Sequence, residues 1–159
     1  MTTKPIQPTI PGGLFAKLFA TFFYSGYLPK APGTWASLFT AIILYFTWPS
    51  EWPTQLLLIT VVYLFGVLVS GRAEKYYGHD ARYIVIDEVA GQMTALFMAP
   101  HKLVAFALGL LLFRFFDIVK PPPIHFLEKL PGGIGVVLDD VLAGGCACVI
   151  LHLISWIGR

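Results

Sequence analysis

The chain has 159 residues, of which 57% are hydrophobic and only 13% charged, with a formal net charge of +2. Soluble domains carry roughly a quarter charged residues, and nucleic-acid binders concentrate Lys and Arg in runs that this sequence lacks. Both classes are excluded, and the composition is that of one membrane-embedded domain.

In chain order, residues 1–11 are polar and Pro-rich and are expected to form a flexible lead to a single helical domain over 12–159. The lead has no basic start running into an apolar core and a small-residue cleavage site, so it does not read as a secretory signal. "LFAKLFATFFYSGY", interrupted by Lys17, is expected to lie at the interface. The apolar runs "ASLFTAIILYFTW", "TQLLLITVVYLFGVLVSG", "VAGQMTALFMA", "LVAFALGLLLFRFFDIV" and "VLAGGCACVILHLISWIG" follow. Several fall short of the ~20 residues of a straight span, and extension into the flanking motifs brings most of them close. All are expected to be helical, because an open sheet edge cannot face lipid. The fold expected is therefore all-α, an integral membrane bundle. Cys146 and Cys148 are two apart on one helix, point different ways, and read as small buried side chains rather than a disulfide.

If the runs alternate, Lys4, Lys17, Lys30, Arg72, Lys75, Arg82, Arg114, Lys120 and Lys129 share one side, against Lys102 and Arg159 opposite. The positive-inside rule puts the first side in the cytoplasm. Trp48, Trp52 and Trp156 fall near the other, as interfacial anchors would. Of the acids only Glu51 lies opposite, while Asp80, Asp87, Glu88, Asp117, Asp139 and Asp140 fall at or near expected cytoplasmic helix ends.

Neighbouring carboxylates repel each other and are costly to desolvate, so "IDEVAG" and "LDDVLAGG" need a cause. Gly91 follows Asp87 and Glu88 by about one turn, as Gly144 follows Asp140. Glycines there let two helix backbones approach closely in lipid and bring both acidic pairs together at the top. Four clustered carboxylates with few nitrogen ligands favour Mg²⁺. The alternative, acids that cap helix N-termini, accounts for one acid per helix more easily than for two. In "LFRFFDIVKPPPI", Arg114, Asp117 and Lys120 recur every three residues before Pro121–Pro123 end the helix. Arg and Lys there suit phosphate, although a helix-end ion pair with a snorkelling Arg would look the same. Gly33 and Thr34 precede a helix, Thr34 as a possible N-cap, and could offer backbone N–H groups to phosphate. His79 and Asp80 could handle a proton beside the acids. The motifs of cysteinyl-phosphate, haloacid-type and metal-independent lipid phosphatases are missing, as is that of the phosphatidyl-alcohol transferases.

Together, "SGYLPKAPGTWAS", "GHDARYIVIDEVAGQ", "FRFFDIVKPPPI" and "GGIGVVLDDVLAG" resemble the phosphatidylglycerophosphatase A family over most of Ser25 to Gly145. The resemblance implies an all-helical bacterial inner-membrane enzyme that requires Mg²⁺ and removes the terminal phosphate of phosphatidylglycerophosphate. It places the family's acidic signature on Asp87, Glu88, Asp117, Asp139 and Asp140, its basic positions on Arg114 and Lys120, and its turn on Pro32, Gly33 and Thr34. The expected chemistry is hydrolysis assisted by one or two Mg²⁺ ions on the five acids, with an aspartyl nucleophile still open. Three other readings remain: an ion-coupled transporter or channel, a non-catalytic scaffold, and a phosphatase for another head group such as phosphatidic acid or a polyprenyl pyrophosphate.

Overall fold

The computed structural model describes residues 13–77, 81–127, 130 and 132–158. Among them are seven α-helices, one short 3-10 turn at Ser25–Tyr27 and no strand. The helices are α1 (Gly13–Ala20), α2 (Pro32–Thr47), α3 (Trp52–Tyr77), α4 (Ile86–Ala95), α5 (Leu103–Val119), α6 (Ile124–Leu127) and α7 (Gly133–Ile157). The expected lead, His79 and Asp80 lie outside the described residues.

Helix α7 is the post around which α3, α4, α5 and α6 pack, and α2 closes against α4 and α5. Small residues make this possible. A Cβ on Gly144 would strike the carbonyl oxygen of Gly91, and one on Gly133 would strike that of Val67, so α4 and α3 both meet α7 backbone to backbone. The outward faces carry the large side chains instead: Ile42, Phe46, Leu57, Leu111, Phe115 and Val149 are all exposed. So much bare apolar surface on a folded chain is that of a protein solvated by lipid, and this is a membrane protein.

Among the described residues, only α3 and α7 are long and apolar enough to cross a bilayer by themselves. The 16 residues of α2 and 17 of α5 reach about 24 and 26 Å, and both helices present apolar side chains outward. Helix α4 departs from expectation: its 10 residues rise only about 15 Å, half a hydrocarbon core. The apolar run does not continue the helix because the chain turns at Leu96 to Pro100, with Met98 at φ 53°.

That turn would leave bare peptide groups in an apolar surround, and side chains from α3, α7 and the residue that follows α2 prevent it. Trp48 Nε1 donates to the Leu96 carbonyl at 3.1 Å, and the Met98 N–H donates to Gln55 Oε1 at 2.8 Å. Cys148 Sγ donates weakly to Phe97 O at 3.4 Å, and His152 Nε2 lies 3.2 Å from Met98 O. Trp48 is therefore a clasp on α4's floor rather than a free interfacial anchor, whereas Trp52 and Trp156 are exposed as anchors would be. Both cysteines are unbridged, but Cys148 is more than inert filling.

Helix α7 also starts earlier than expected. The stretch "GGIGVV" is helical from Gly133, so Asp139 and Asp140 lie nearly two turns inside rather than at a helix end. Glycine's low helix propensity is overridden here because only a residue without Cβ fits against Val67 and Gly71.

Candidate functional site

Helices α4 and α7 run side by side in the same direction, with Gly91 against Asp140 and Gly144 against Gly91 and Thr94. This register lifts the first turn of α4 to the level of Asp140. One carboxylate oxygen each from Asp87, Glu88 and Asp140 lie within 4.8 Å of one another. Asp87, Asp139 and Asp140 are buried, and Glu88 is partly so. The convergence expected from the glycine spacing is present for these three acids.

Asp117 and Asp139 stand beside them and face cations. Arg114 Nη1 lies 2.7 Å from Asp117 Oδ2, one turn along α5, and 3.8 Å from Glu88 Oε1. Lys120 caps α5 in the left-handed region (φ 43°, ψ 57°), and the helix ends there because Pro121, with no N–H to donate, cannot continue it. Its Nζ reaches across to Asp139 Oδ2 at 2.7 Å, while Asp139 Oδ1 accepts the N–H of Asp140 at 2.9 Å. The two cations expected to bind phosphate thus bracket the acidic cluster from α5.

Glu88 Oε2 and Asp140 Oδ2 are buried and have no hydrogen-bond partner, and the same holds for Arg114 Nε. Buried, unpaired carboxylate oxygens on residues that converge within 4.8 Å suit a hard divalent cation, so these residues fit Mg²⁺.

The turn before α2 is also at the site, with one correction. The N-cap is Ala31, Pro32 is the first helical residue, and the exposed Thr34 sits inside the first turn without capping it. Pro is at home there because its missing N–H would have had no partner. Gly33 is buried; a Cβ on it would strike Glu88 Oε1 and lie 3.1 Å from Arg114 Nη1. The positive end of α2 therefore abuts the carboxylate of Glu88.

One residue escaped the reading of the motifs. Gln92, one turn below Glu88 on α4, is fully buried with neither amide atom hydrogen-bonded. Its signal was available: a polar amide in the middle of an apolar membrane helix, on the acids' own face. His101 and His152 have structural partners, Tyr45 O at 2.7 Å and Met98 O at 3.2 Å, far along the bundle from the acids.

The family model described as phosphatidylglycerophosphatase A matches residues 18–155. A Haemophilus influenzae protein named phosphatidylglycerophosphatase A is 38% identical over 148 residues, covering 87% of this chain and 88% of the relative. An Escherichia coli protein of the same name is 33% identical over 141 residues, covering 87% and 82%. A Bacteroides thetaiotaomicron protein with the provisional name phosphatidylinositol-3-phosphatase is 35% identical over 153 residues, covering 88% and 93%. No solved structure matches the chain.

Proposed function

Since the chain belongs to the phosphatidylglycerophosphatase A family, we propose that it hydrolyses the terminal phosphomonoester of phosphatidylglycerophosphate to phosphatidylglycerol and phosphate. The observation that carries the reading is three carboxylates within 4.8 Å of one another, bracketed by Arg114 and Lys120. A dianionic phosphate needs both parts: a cation on the acids to admit it and positive side chains to hold it.

Asp87, Glu88 and Asp140 would hold Mg²⁺, with Asp117 and Asp139 at its margin. The ion supplies Lewis-acid polarisation of the phosphate oxygens. Arg114, tethered by Asp117, offers its unused Nε–H to a phosphoryl oxygen and balances charge as the P–O bond breaks. Lys120 adds a point charge from the mouth, and Asp139 fixes its direction. The N-terminus of α2, with Gly33 against Glu88, adds a positive end to the same wall. His79 or Asp80 would serve as the proton carrier to the leaving glycerol oxygen. The lipid's acyl chains stay in the membrane while its head group enters from the cytoplasmic face of a multi-pass inner-membrane protein, an orientation supported by the Lys and Arg distribution.

Acids in the middle of spans would favour an ion pathway. The cluster here lies at one end of the bundle, which favours a lipid head group. The name of the Bacteroides relative favours a second head group, a phosphoinositide monophosphate. The test is phosphate release by detergent-purified protein from phosphatidylglycerophosphate, phosphatidic acid and phosphatidylinositol 3-phosphate, with Mg²⁺ or EDTA. Mg²⁺-dependent release preferring phosphatidylglycerophosphate, and its loss in Asp87→Asn, are expected. Preference for the phosphoinositide would transfer the reading to that head group, and release indifferent to EDTA would overturn the metal site.

A further inference from the structure

A groove of about 280 Å³ runs along the seam between α2 and α5, lined by Leu38, Ala41, Tyr45, Phe106, Ala107 and Leu110. Its floor is Ala41 and Phe106, both buried, and it opens sideways where Ile42 and Ala107 are exposed. Its upper end lies one helical turn below the acidic site. One turn above Leu38 on α2 is Thr34, one turn above Leu110 on α5 is Arg114, and Arg114 Nη1 sits against Gly33. The lower end is closed where the His101 ring stacks on Tyr45 at 4.9 Å and bonds its carbonyl at 2.7 Å. From Arg114 to Leu103 the seam is about 16 Å long, matching the ~15 Å depth of one leaflet.

We infer that this seam seats one acyl chain of the substrate lipid, hanging from the phosphate held by Arg114, so that the enzyme reads the tail as well as the head group. The inference rests on the proposed lipid phosphatase activity for its occupant. The geometry singles out this groove. The cleft lined by Met98, Cys148, His152 and Trp156 lies at the opposite end of α7 from Asp140, and the one between Phe22 and Phe39 lies on another face of α2. A charged socket one turn above a leaflet-deep apolar slot is what a phosphomonoester on a diacylglycerol requires.

The first test needs no turnover. Phosphatidic acid carrying a diazirine on one tail is photolysed with the protein in detergent, beside phosphatidylcholine carrying the same tail. Peptides spanning 38–46 and 103–110 are expected to carry several-fold more label from phosphatidic acid, and Ala107→Trp to remove that excess. Even labelling by the two lipids, or an excess that persists in Ala107→Trp, would overturn the groove.

The second test is kinetic. In Ala107→Trp, the ratio of kcat/KM for dipalmitoyl over dibutanoyl phosphatidylglycerophosphate should fall about tenfold, the equivalent of roughly two buried methylenes. Ala107→Leu, which adds less bulk at the same exposed position, should give a smaller fall. Val61→Trp, exposed on α3, should leave the ratio unchanged. An unchanged ratio in Ala107→Trp would sink the tail-reading role. Wild-type protein that is inert toward phosphatidylglycerophosphate yet labels the seam selectively would overturn the activity and keep the groove.

Discussion

Gly91→Ala probes the device that assembles the acids. A Cβ there would lie 2.7 Å from the carbonyl oxygen of Asp140 and on the ring of Phe113, which is fully buried and cannot swing away. Ordinary contact begins at 3.4 Å, so α4 and α7 must part by about 0.7 Å at the level of the acidic cluster. Overpacking of this kind costs about 1–3 kcal/mol, or about 3–10 °C in Tm for a chain of this size. The displacement also separates Asp87 and Glu88 from Asp140, and shifts approaching 1 Å cost an active site about tenfold or more in rate. Gly145→Ala is the control on the same pair of helices: nothing lies within 4 Å of its Cβ position, so improved helix propensity should stabilise it by about 0.5–1 kcal/mol with activity intact. Thermal unfolding in detergent and phosphate release measure both. Gly91→Ala matching wild type in Tm and rate, or Gly145→Ala falling as far, would refute the close-approach account.

Three further outcomes follow from the site and its floor. Saturating Mg²⁺ at about 100 times its Kd should raise stability by about 2.7 kcal/mol, and Asp140→Asn should abolish most of the Tm rise while remaining folded. Lys120→Met leaves the buried Asp139 without its 2.7 Å partner and should destabilise by about 3 kcal/mol; adding Asp139→Asn should restore much of it, as a double-mutant cycle would show. Gln55→Ala removes the acceptor for the Met98 N–H and the donor to Pro49 O, and should cost about 1–3 kcal/mol in detergent unfolding while leaving the Mg²⁺ affinity of the folded protein close to wild type.

The parts of the site that were legible in the sequence are those fixed by short spacing. Gly91 below Asp87 and Glu88, and Gly144 below Asp140, define one helix face each, and two such faces have one good way to meet. Arg114, Asp117 and Lys120 were legible for the same reason. The division among the acids was not, because which carboxylate faces a cation depends on where α5 ends relative to α7. The length of α4 was also hidden: "VAGQMTALFMA" has the composition of a span, and its early stop depends on Trp48, Gln55, Cys148 and His152, residues remote in sequence that receive the turn's peptide groups. The start of α7 at Gly133 was concealed by local propensity, since a glycine-rich segment reads as loop until α3 is there to require it.

The shortness of α4 bears on the order in which the protein is made. Ten residues opening on two carboxylates have neither the length nor the apolarity to be retained in a bilayer alone. Much of what holds them lies on α7: Asp140 and Gly144 along the side, Cys148 and His152 beneath the turn. Helix α7 follows α4 in the chain and leaves the ribosome after it, so until α7 is inserted α4 has only α2, α3 and α5 to pack against. The cluster of Asp87, Glu88 and Asp140 accordingly does not exist on a nascent chain that stops before Asp140.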